Sequence, residues 1–147
     1  MKLTVEQNLD IRETEIIIRC ALIDDRLKAL LEQIRLYGFS ITARREGNLM
    51  QIALEDIFYV ESVDDRTFLY VESDVWECDL RLYELENQLK HTAFVRCAKN
   101  CILNTQRIQS VRALYNGRLE ATLQNGERIV VTRHYVPAVK QRFGLKG

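Results

Sequence analysis

Two Asn-Gly dipeptides in the second half of the chain constrain its fold more than any other feature. Asn116-Gly117 and Asn125-Gly126 each lie between short runs in which apolar and polar residues alternate. A type I′ hairpin turn needs positive φ at both central residues, and Asn and Gly tolerate that conformation best. The pattern therefore predicts three consecutive antiparallel strands, which we place at 111–115, 118–123 and 127–131.

The first 45 residues predict a small ββαβ unit. Two strand-like runs, 3–5 and 15–20, are joined by a polar turn. Asp24 is placed to cap a helix, apolar residues then recur at helical spacing, and Gly38 is placed to end the helix. Strand character returns at 39–43. We expect this unit to serve in packing or dimerisation, because it carries no residue of catalytic character.

Residues 46–147 predict a β-rich domain that follows a polar turn at 44–48. An amphipathic helix is predicted at the leucine repeat 82–89, with Asp79 as its candidate N-cap. Short, closely spaced strand-like runs precede this helix, as is typical of antiparallel sheets. These runs lie at 49–54, 57–61, 67–73 and 75–78.

A last helix is predicted from about 133 to 143. Thr132 is its candidate cap, and Pro137 falls in the first turn, where a missing N–H costs least. Together the elements predict a mainly β fold of the α+β type. It would have multi-stranded antiparallel sheets with one or two flanking helices, preceded by the ββαβ unit.

Charge is distributed unevenly along a chain whose net charge is zero. Residues 50–90 carry three basic and 11 acidic side chains, whereas residues 91–147 carry ten basic and two acidic ones. A separation of this kind is typical of a chain with an electrostatic binding surface. Nucleic-acid contact is one interpretation, and a bipolar surface that favours solubility or self-association is the other.

Cysteine and histidine spacing gives little support to a metal or cofactor site. Cys20, Cys78, Cys97 and Cys101 form no C-x-x-C pair, and the chain has only two histidines. We expect the cysteines to be buried apolar residues, with a redox role for Cys97 and Cys101 as the alternative. No apolar run approaches the roughly 20 residues that span a bilayer, so we expect a cytoplasmic protein with no membrane insertion.

Five features in the right order resemble one family. They are the run 55–62 (EDIFYVES), the leucine helix, the run 94–104 (FVRCAKNCILN), Ile108 with its hairpins, and the run 131–135 (VTRHY). The third is close to the pattern F-x-R-x-H-(R/K)-S-x-(I/V)-(V/L)-N, and the last is close to V-S-R-x-Y. Residues from about 50 to 145 thus resemble the LytTR type of DNA-binding domain. The first 45 residues look like the short leader of its stand-alone members, and unlike a receiver domain.

The resemblance implies a transcriptional regulator that binds double-stranded DNA through loops, in successive major grooves of a direct-repeat site. Such sites suit two copies of the protein, so a homodimer is expected. Ala98 departs from the usual His and Asn100 from the usual Ser, so side-chain contacts there are expected to differ. Carried over to this sequence, the contact loops are 64–66, 99–100 and the one that begins at Arg133.

Seven residues are assigned to DNA contact on this basis. Arg133 suits the bidentate contact to guanine O6 and N7, Lys99 suits phosphate or guanine, and Asn100 suits adenine. Phosphate contacts would add affinity and register without sequence information. The full set is Arg133, Lys99, Asn100, Arg66, Arg96, Arg128 and His134. The alternatives are a salt bridge for Arg66, a structural role for Arg96 and simple surface exposure for His134.

Two other functional classes are alternatives to DNA binding. The first is a protein-interaction or ligand-sensing module that self-associates head to tail, with the acidic segment 50–90 against the basic segment 91–147. The second is an enzyme in which Cys97 or Cys101 acts with His134 as a nucleophile–base pair. No flanking catalytic signature accompanies these residues, and the prediction is that the chain is not an enzyme.

Overall fold

The computed structural model describes residues 1–37 and 39–144, and only the backbone of 35–37. Within this range, two antiparallel sheets and three α-helices confirm the predicted strand-rich class. The helices are α1 (Asp25–Tyr37), α2 (Leu82–Gln88) and α3 (Val136–Phe143). The strands are β1 (Ser40–Arg45), β2 (Asn48–Ala53), β3 (Tyr59–Val63), β4 (Arg66–Tyr70), β5 (Val75–Cys78), β6 (Phe94–Ala98), β7 (Cys101–Asn104), β8 (Ile108–Ala113), β9 (Leu119–Leu123) and β10 (Arg128–Val131).

The two sheets and the helices enclose two apolar clusters. The larger sheet has the strand order β2-β1-β5-β4-β3-β7-β6, and the smaller has the order β10-β9-β8. One buried cluster, which includes Leu69 and Leu85, joins the larger sheet to α2. A second, which includes Leu103 and Val139, is shared by both sheets and α3. The larger sheet is buried on both faces at β7, where all four residues are buried, whereas buried and half-buried residues alternate along β9 of the smaller sheet.

Tyr59 links the larger sheet to the smaller one. Its ring stacks on Tyr70, with 4.2 Å between the ring centroids. Its hydroxyl donates a hydrogen bond of 2.7 Å to Glu127, which lies in the turn between β9 and β10. Burial, together with this carboxylate, raises the pKa of Tyr59, so the side chain stays a neutral donor at physiological pH.

The meander predicted from the Asn-Gly dipeptides is present as β8, β9 and β10, but only one turn has the predicted geometry. Asn116 has φ 67° and Gly117 has φ 75°, as a type I′ turn requires. The prediction is wrong for the second dipeptide, where Gly126 alone has positive φ. There Asn125 Oδ1 accepts the backbone N–H of Glu127 at 3.0 Å, and this local bond stabilises a longer loop.

Helix boundaries agree with the sequence only in part. Asp24 caps α1 as predicted, because its Oδ1 accepts the N–H of Leu27 at 2.8 Å. Gly38, the predicted C-terminal residue of this helix, lies outside the described residues. Asp79 is not the cap of α2, since it forms an ion pair with Arg44 instead. The cap is Arg81, whose backbone N–H donates a hydrogen bond to the carboxylate of Glu84, three residues later.

The last helix starts later than predicted. Arg133–Tyr135 form a short 3₁₀ helix, and α3 follows with Pro137 in its first turn. The side chain of Thr132 caps neither helix, so that part of the prediction is wrong. No helix in the described residues is both long and apolar enough to cross a membrane.

The two strands predicted near the N-terminus are absent. Residues 1–23, which we call the N-terminal arm, contain neither helix nor strand, and their side chains are exposed. Strand propensity cannot act alone, because a strand needs a partner for its backbone groups and the arm has none among the described residues. The remainder of the predicted ββαβ unit, α1 and β1, joins the main body. β1 pairs with β2 and with β5, so one hairpin crosses the predicted boundary at 45–46.

Candidate nucleic-acid interface

Three turns meet at one end of the larger sheet, which we call the loop end. They are the β3–β4 turn at 64–65, the β6–β7 turn at 99–100 and the start of the 3₁₀ helix at Arg133. The backbone N–H of Ser62 donates to the Asn100 carbonyl at 2.9 Å, and that of Thr132 donates to the Cys97 carbonyl at 3.0 Å. Main-chain hydrogen bonds therefore hold all three predicted contact loops side by side.

The β6–β7 turn is shaped by Arg96 rather than by glycine. A bulge at Cys97 shifts the register, so that Ala98 pairs with Cys101 and only two residues form the turn. The Arg96 guanidinium donates to the carbonyls of Ala98, at 3.0 Å, and of Lys99. It also forms an ion pair of 3.2 Å with Glu86 on α2. Since its side chain is only 19% exposed, Arg96 has the structural role that the sequence left open.

Lys99 and Asn100 are both exposed. Within the described residues, the Lys99 ammonium has neither a hydrogen bond nor an ion pair. Asn100 Nδ2 donates a long bond of 3.5 Å to the Ser62 carbonyl, which leaves its Oδ1 without a donor in the same range. An amide held on one side in this way can still accept and donate toward a ligand.

Arg133 lies across the β8–β9 turn. A Cβ built on Gly117 would stand 3.3 Å from Arg133 Cγ and 3.5 Å from Nε, so the two residues are in close contact. Positive φ at Gly117 and its missing side chain together make room for the arginine stem. The guanidinium is exposed and has no hydrogen bond or ion pair in the part of the chain that is described.

His134 follows Arg133 and is also exposed. Its ring contacts the Tyr135 ring edge to face, with 4.7 Å between centroids and an angle of 87°. The two cysteines that would form a nucleophile–base pair with it differ from it in exposure. Cys97 and Cys101 are buried, and the Cys97 Sγ donates to the Cys101 carbonyl at 3.5 Å. A hydrogen bond from Cys97 and burial both raise the pKa of Cys101, which disfavours a thiolate.

Arg66 is engaged by Glu77, as the salt-bridge alternative predicted. Its Nε and Nη2 donate to the two carboxylate oxygens of Glu77 at 3.1 and 2.5 Å. Arg44 on β1 donates to the same carboxylate at 2.9 Å. The hydrogen bond from Arg66 and the two positive charges lower the pKa of Glu77. Only Nη1 of Arg66 lacks a partner within the described residues.

Arg128 lies outside the loop end, on the exposed face of the smaller sheet. It is the first residue of β10 and stands opposite Thr122. Arg112 occupies the same face but is paired with Glu120 at 3.1 Å. Arg128 has no such partner in the described part of the chain.

Some cations between residues 91 and 144 are paired, and others have no partner in the described residues. Four arginines between 91 and 144 form ion pairs, namely Arg96, Arg107, Arg112 and Arg142. Five cations in the same range have no ion pair or side-chain hydrogen bond, namely Lys99, Arg118, Arg128, Arg133 and Lys140. Two of the five stand at the loop end. These charges are therefore available for an anion such as a phosphate group.

Sequence reasoning missed two residues that shape the site. Gly117 was identified as a turn residue, but its contact with Arg133 depends on tertiary structure and leaves no local signal. Glu86 was identified only as the polar side of α2, although it holds Arg96. In the described residues, no group of three or more His, Cys, Asp or Glu side chains is arranged to hold a metal ion.

A family model and known proteins match this arrangement. The LytTr DNA-binding domain matches residues 47–144. The sensory transduction protein LytT of Enterococcus faecalis (strain ATCC 700802 / V583) is 29% identical over 106 residues, covering 72% of this chain. An uncharacterized response regulatory protein of Yersinia pestis is 30% identical over 99 residues, or 67% of this chain. The chain spans only 44% and 40% of the lengths of these two relatives.

Two further similarities bear on the whole chain and on the fold. An uncharacterized HTH-type transcriptional regulator of Staphylococcus aureus (strain NCTC 8325 / PS 47) is 23% identical over 147 residues, or 99% of both chains. The solved LytTr DNA-binding domain of a putative methyl-accepting/DNA response regulator from Bacillus cereus superposes with a TM-score of 0.68. That match covers 73% of this chain and 98% of the other at 21% identity, and it supports the fold alone.

Proposed function

We propose that this chain, which belongs to the LytTr DNA-binding domain family, is a sequence-specific transcriptional regulator that reads DNA with its loop end. The observation that carries the proposal is the juxtaposition of Lys99, Asn100 and Arg133. All three are exposed on turns that main-chain hydrogen bonds hold together. Two of the three are cations without a partner in the described residues.

Base reading is assigned to Arg133 and to the Lys99–Asn100 turn. A guanidinium that is not engaged by a carboxylate can present two parallel N–H donors to guanine O6 and N7 in the major groove. The Asn100 amide can bond the N6 and N7 atoms of adenine. Since a good bidentate pair discriminates by about 1–3 kcal/mol, a few such contacts supply usable specificity.

The remaining sequence-assigned residues receive supporting roles. Arg128 and the other unpaired cations would bind phosphate, which gives affinity but no sequence information. Arg66 would reach phosphate only through Nη1, because Glu77 occupies its other donors. Arg96 would act indirectly by fixing the turn that carries Lys99, and His134 would contact the backbone beside Arg133.

Electrostatic self-association is supported less well than DNA binding. Several acids of the segment 50–90 are already paired with arginines of the same chain, namely Asp74, Glu77, Asp79 and Glu86. Their charges are therefore less available to a second copy, whereas the unpaired cations of the segment 91–147 remain available. We place the regulator in the cytoplasm, with access to chromosomal DNA.

Selection of bound sites from random duplexes tests this function. We expect enrichment of one motif present twice in the same orientation, with copies about 10 base pairs or a multiple of that apart, so that both face one side of the duplex. A matched selection with Lys99→Ala/Arg133→Ala should lose the motif and retain weak binding to any duplex. Failure of the unaltered protein to enrich any sequence would contradict the proposal.

A further inference from the structure

The N-terminal arm (residues 1–23) contains a strand-like run that pairs with no strand within the described residues. Its run Glu15–Cys20 reads EIIIRC, and β-branched residues of this kind favour extended, half-buried conformations. Ile17 is 72% exposed, and Ile16 is exposed to a similar degree. A soluble chain seldom leaves such a run uncovered, because exposed apolar segments promote association.

The strand β2 has backbone groups on one side with which a further strand could pair. It is an edge strand of the larger sheet, so its outer backbone groups have no strand partner within the described residues. Edge strands are normally protected by charge, by proline or by a covering element. The sequence of β2, NLMQIA, has neither charge nor proline, and Leu49 is 75% exposed and Met50 51% exposed.

Other edges of the two sheets are protected. β6, the opposite edge of the larger sheet, is covered by α3 and by the 3₁₀ helix Arg133–Tyr135. β8 carries Arg112, and β10 carries Arg128. Among the edges that the structure describes, β2 is thus the uncharged one that remains open to strand addition.

A groove beside β2 suits the isoleucine side chains of the arm. Its cavity of about 340 Å³ has an apolar wall that includes Met50, Ile52, Val71 and Trp76. Glu72 lies on its rim and has no hydrogen bond or ion pair in the described residues. The arm run carries Arg19, which offers a partner to Glu72, and Glu15, so that the run as a whole is neutral.

The arm and β2 of the same chain do not pair in the described residues. Glu32, in the middle of α1, forms an ion pair with Arg142 of α3, and α1 also contacts the 3₁₀ helix Leu54–Asp56, which directly follows β2. Cys20 lies five residues before Asp25, the first residue of α1, and so within about 17 Å of it.

We propose that the segment Glu15–Cys20 of one copy adds as a strand to the β2 edge of a second copy of this chain. Main-chain hydrogen bonds would supply affinity, and alternate isoleucines would enter the groove. Each contact joins two different surfaces, the arm of one copy and the β2 edge of the other. Such a contact goes beyond DNA binding and requires no DNA to form.

The composition of the arm disfavours other occupants. It carries three basic and four acidic side chains. Attraction to a phosphate backbone or to an anionic lipid surface needs clustered positive charge, which the arm lacks. An arm of this length also contains about as many residues as each side of a standard protein interface.

Sedimentation equilibrium of the full chain, without DNA, tests the contact. The average mass of the wild type should rise above the monomer value of 17.2 kDa as concentration increases. Ile16→Asp/Ile18→Asp should raise the dissociation constant at least about tenfold, because unpaired carboxylates would be buried. Met50→Lys should do the same by placing a charge on the edge. Leu9→Asp in the arm and Val130→Lys on β10 are matched controls that should associate as the wild type does.

Mixing the two defective variants makes the test specific. The intact arm of Met50→Lys should dock on the intact β2 of Ile16→Asp/Ile18→Asp, giving pairs of twice the monomer mass and nothing larger. Circular dichroism and melting curves should show that each variant is folded. A wild type that stays monomeric at every concentration, variants that associate as strongly as the wild type, or a mixture that stays monomeric would each overturn the proposal.

Discussion

Gly117 shows how a single residue without a side chain can position a functional one. Its backbone has φ 75°, and Arg133 lies against its Cα, where any Cβ would intrude. Gly126 has φ 90° but no atom within 4 Å of the corresponding Cβ position. Substitutions at both positions would strain the backbone, but only a substitution at Gly117 would also displace Arg133.

Alanine at these two positions is expected to have different effects on DNA binding. Gly117→Ala and Gly126→Ala should each lower the free energy of unfolding by about 1–2 kcal/mol, because alanine is strained at positive φ. Only Gly117→Ala should also weaken binding to the selected site, since it shifts the arginine stem. Chemical denaturation and a binding titration measure the two quantities. Equal loss of DNA affinity in both variants would mean that the contact with Arg133 has no role in binding.

Arg96 is a positioning residue rather than a reader. Arg96→Met retains the aliphatic stem but removes the bonds to the turn carbonyls and to Glu86, so we expect about 1–3 kcal/mol of lost stability. Arg112→Met removes the same charge from an exposed pair with Glu120, and about 0–1 kcal/mol should be lost. Urea denaturation compares the two. Equal stability of both variants would contradict the structural role of Arg96.

At the scale of elements, Glu77 joins three strands of the larger sheet. It lies on β5 and binds Arg44 on β1 and Arg66 on β4. A carboxylate with a lowered pKa stabilises the fold at pH values above its ordinary pKa, and the contribution is lost as pH falls through the folded-state pKa. Glu77→Gln removes the part of the pH dependence of stability that comes from this carboxylate.

The stability difference between wild type and Glu77→Gln should therefore depend on pH. The wild type should be the more stable protein at neutral pH, and the difference should shrink as pH falls below the ordinary value of 4.5. Urea denaturation at a series of pH values measures it. A difference that stays constant across the acidic range would show that the ionised carboxylate does not stabilise the sheet.

Elements with local signals could be predicted from the sequence, and those that depend on distant partners could not. The Asn116-Gly117 hairpin and the Asp24 cap are encoded within a few residues, and both are present. The arm run 15–20 has the local signal of a strand, but no strand pairs with it in the part of the chain that the structure describes. Asp79 is a residue type that often caps helices, but its carboxylate is paired with Arg44, 35 residues earlier in the chain.

At the scale of the whole molecule, the sequence named candidate site residues, whose contact with DNA stays a prediction, but it did not give the geometry that brings them together. The LytTR resemblance indicated Lys99, Asn100 and Arg133, and the structure places all three on neighbouring turns. The engagement of Arg66 by Glu77 was one of two open alternatives. Neither the hydrogen bonds that join the turns nor the shape of the sheet edge follows from residue spacing, because both arise from long-range pairing.

The central claim is that Arg133 at the loop end reads a base, whereas Arg128 on the smaller sheet serves affinity alone. The most direct test is the affinity of Arg133→Ala and Arg128→Ala for the selected site and for random duplex at several salt concentrations. Arg133→Ala should lose about 1–3 kcal/mol of binding free energy on the selected site and much less on random duplex. Arg128→Ala should lose the same binding free energy on both DNAs. It should also lower by about one the slope of the logarithm of the binding constant against the logarithm of salt concentration. Equal losses on both DNAs for Arg133→Ala would contradict the account.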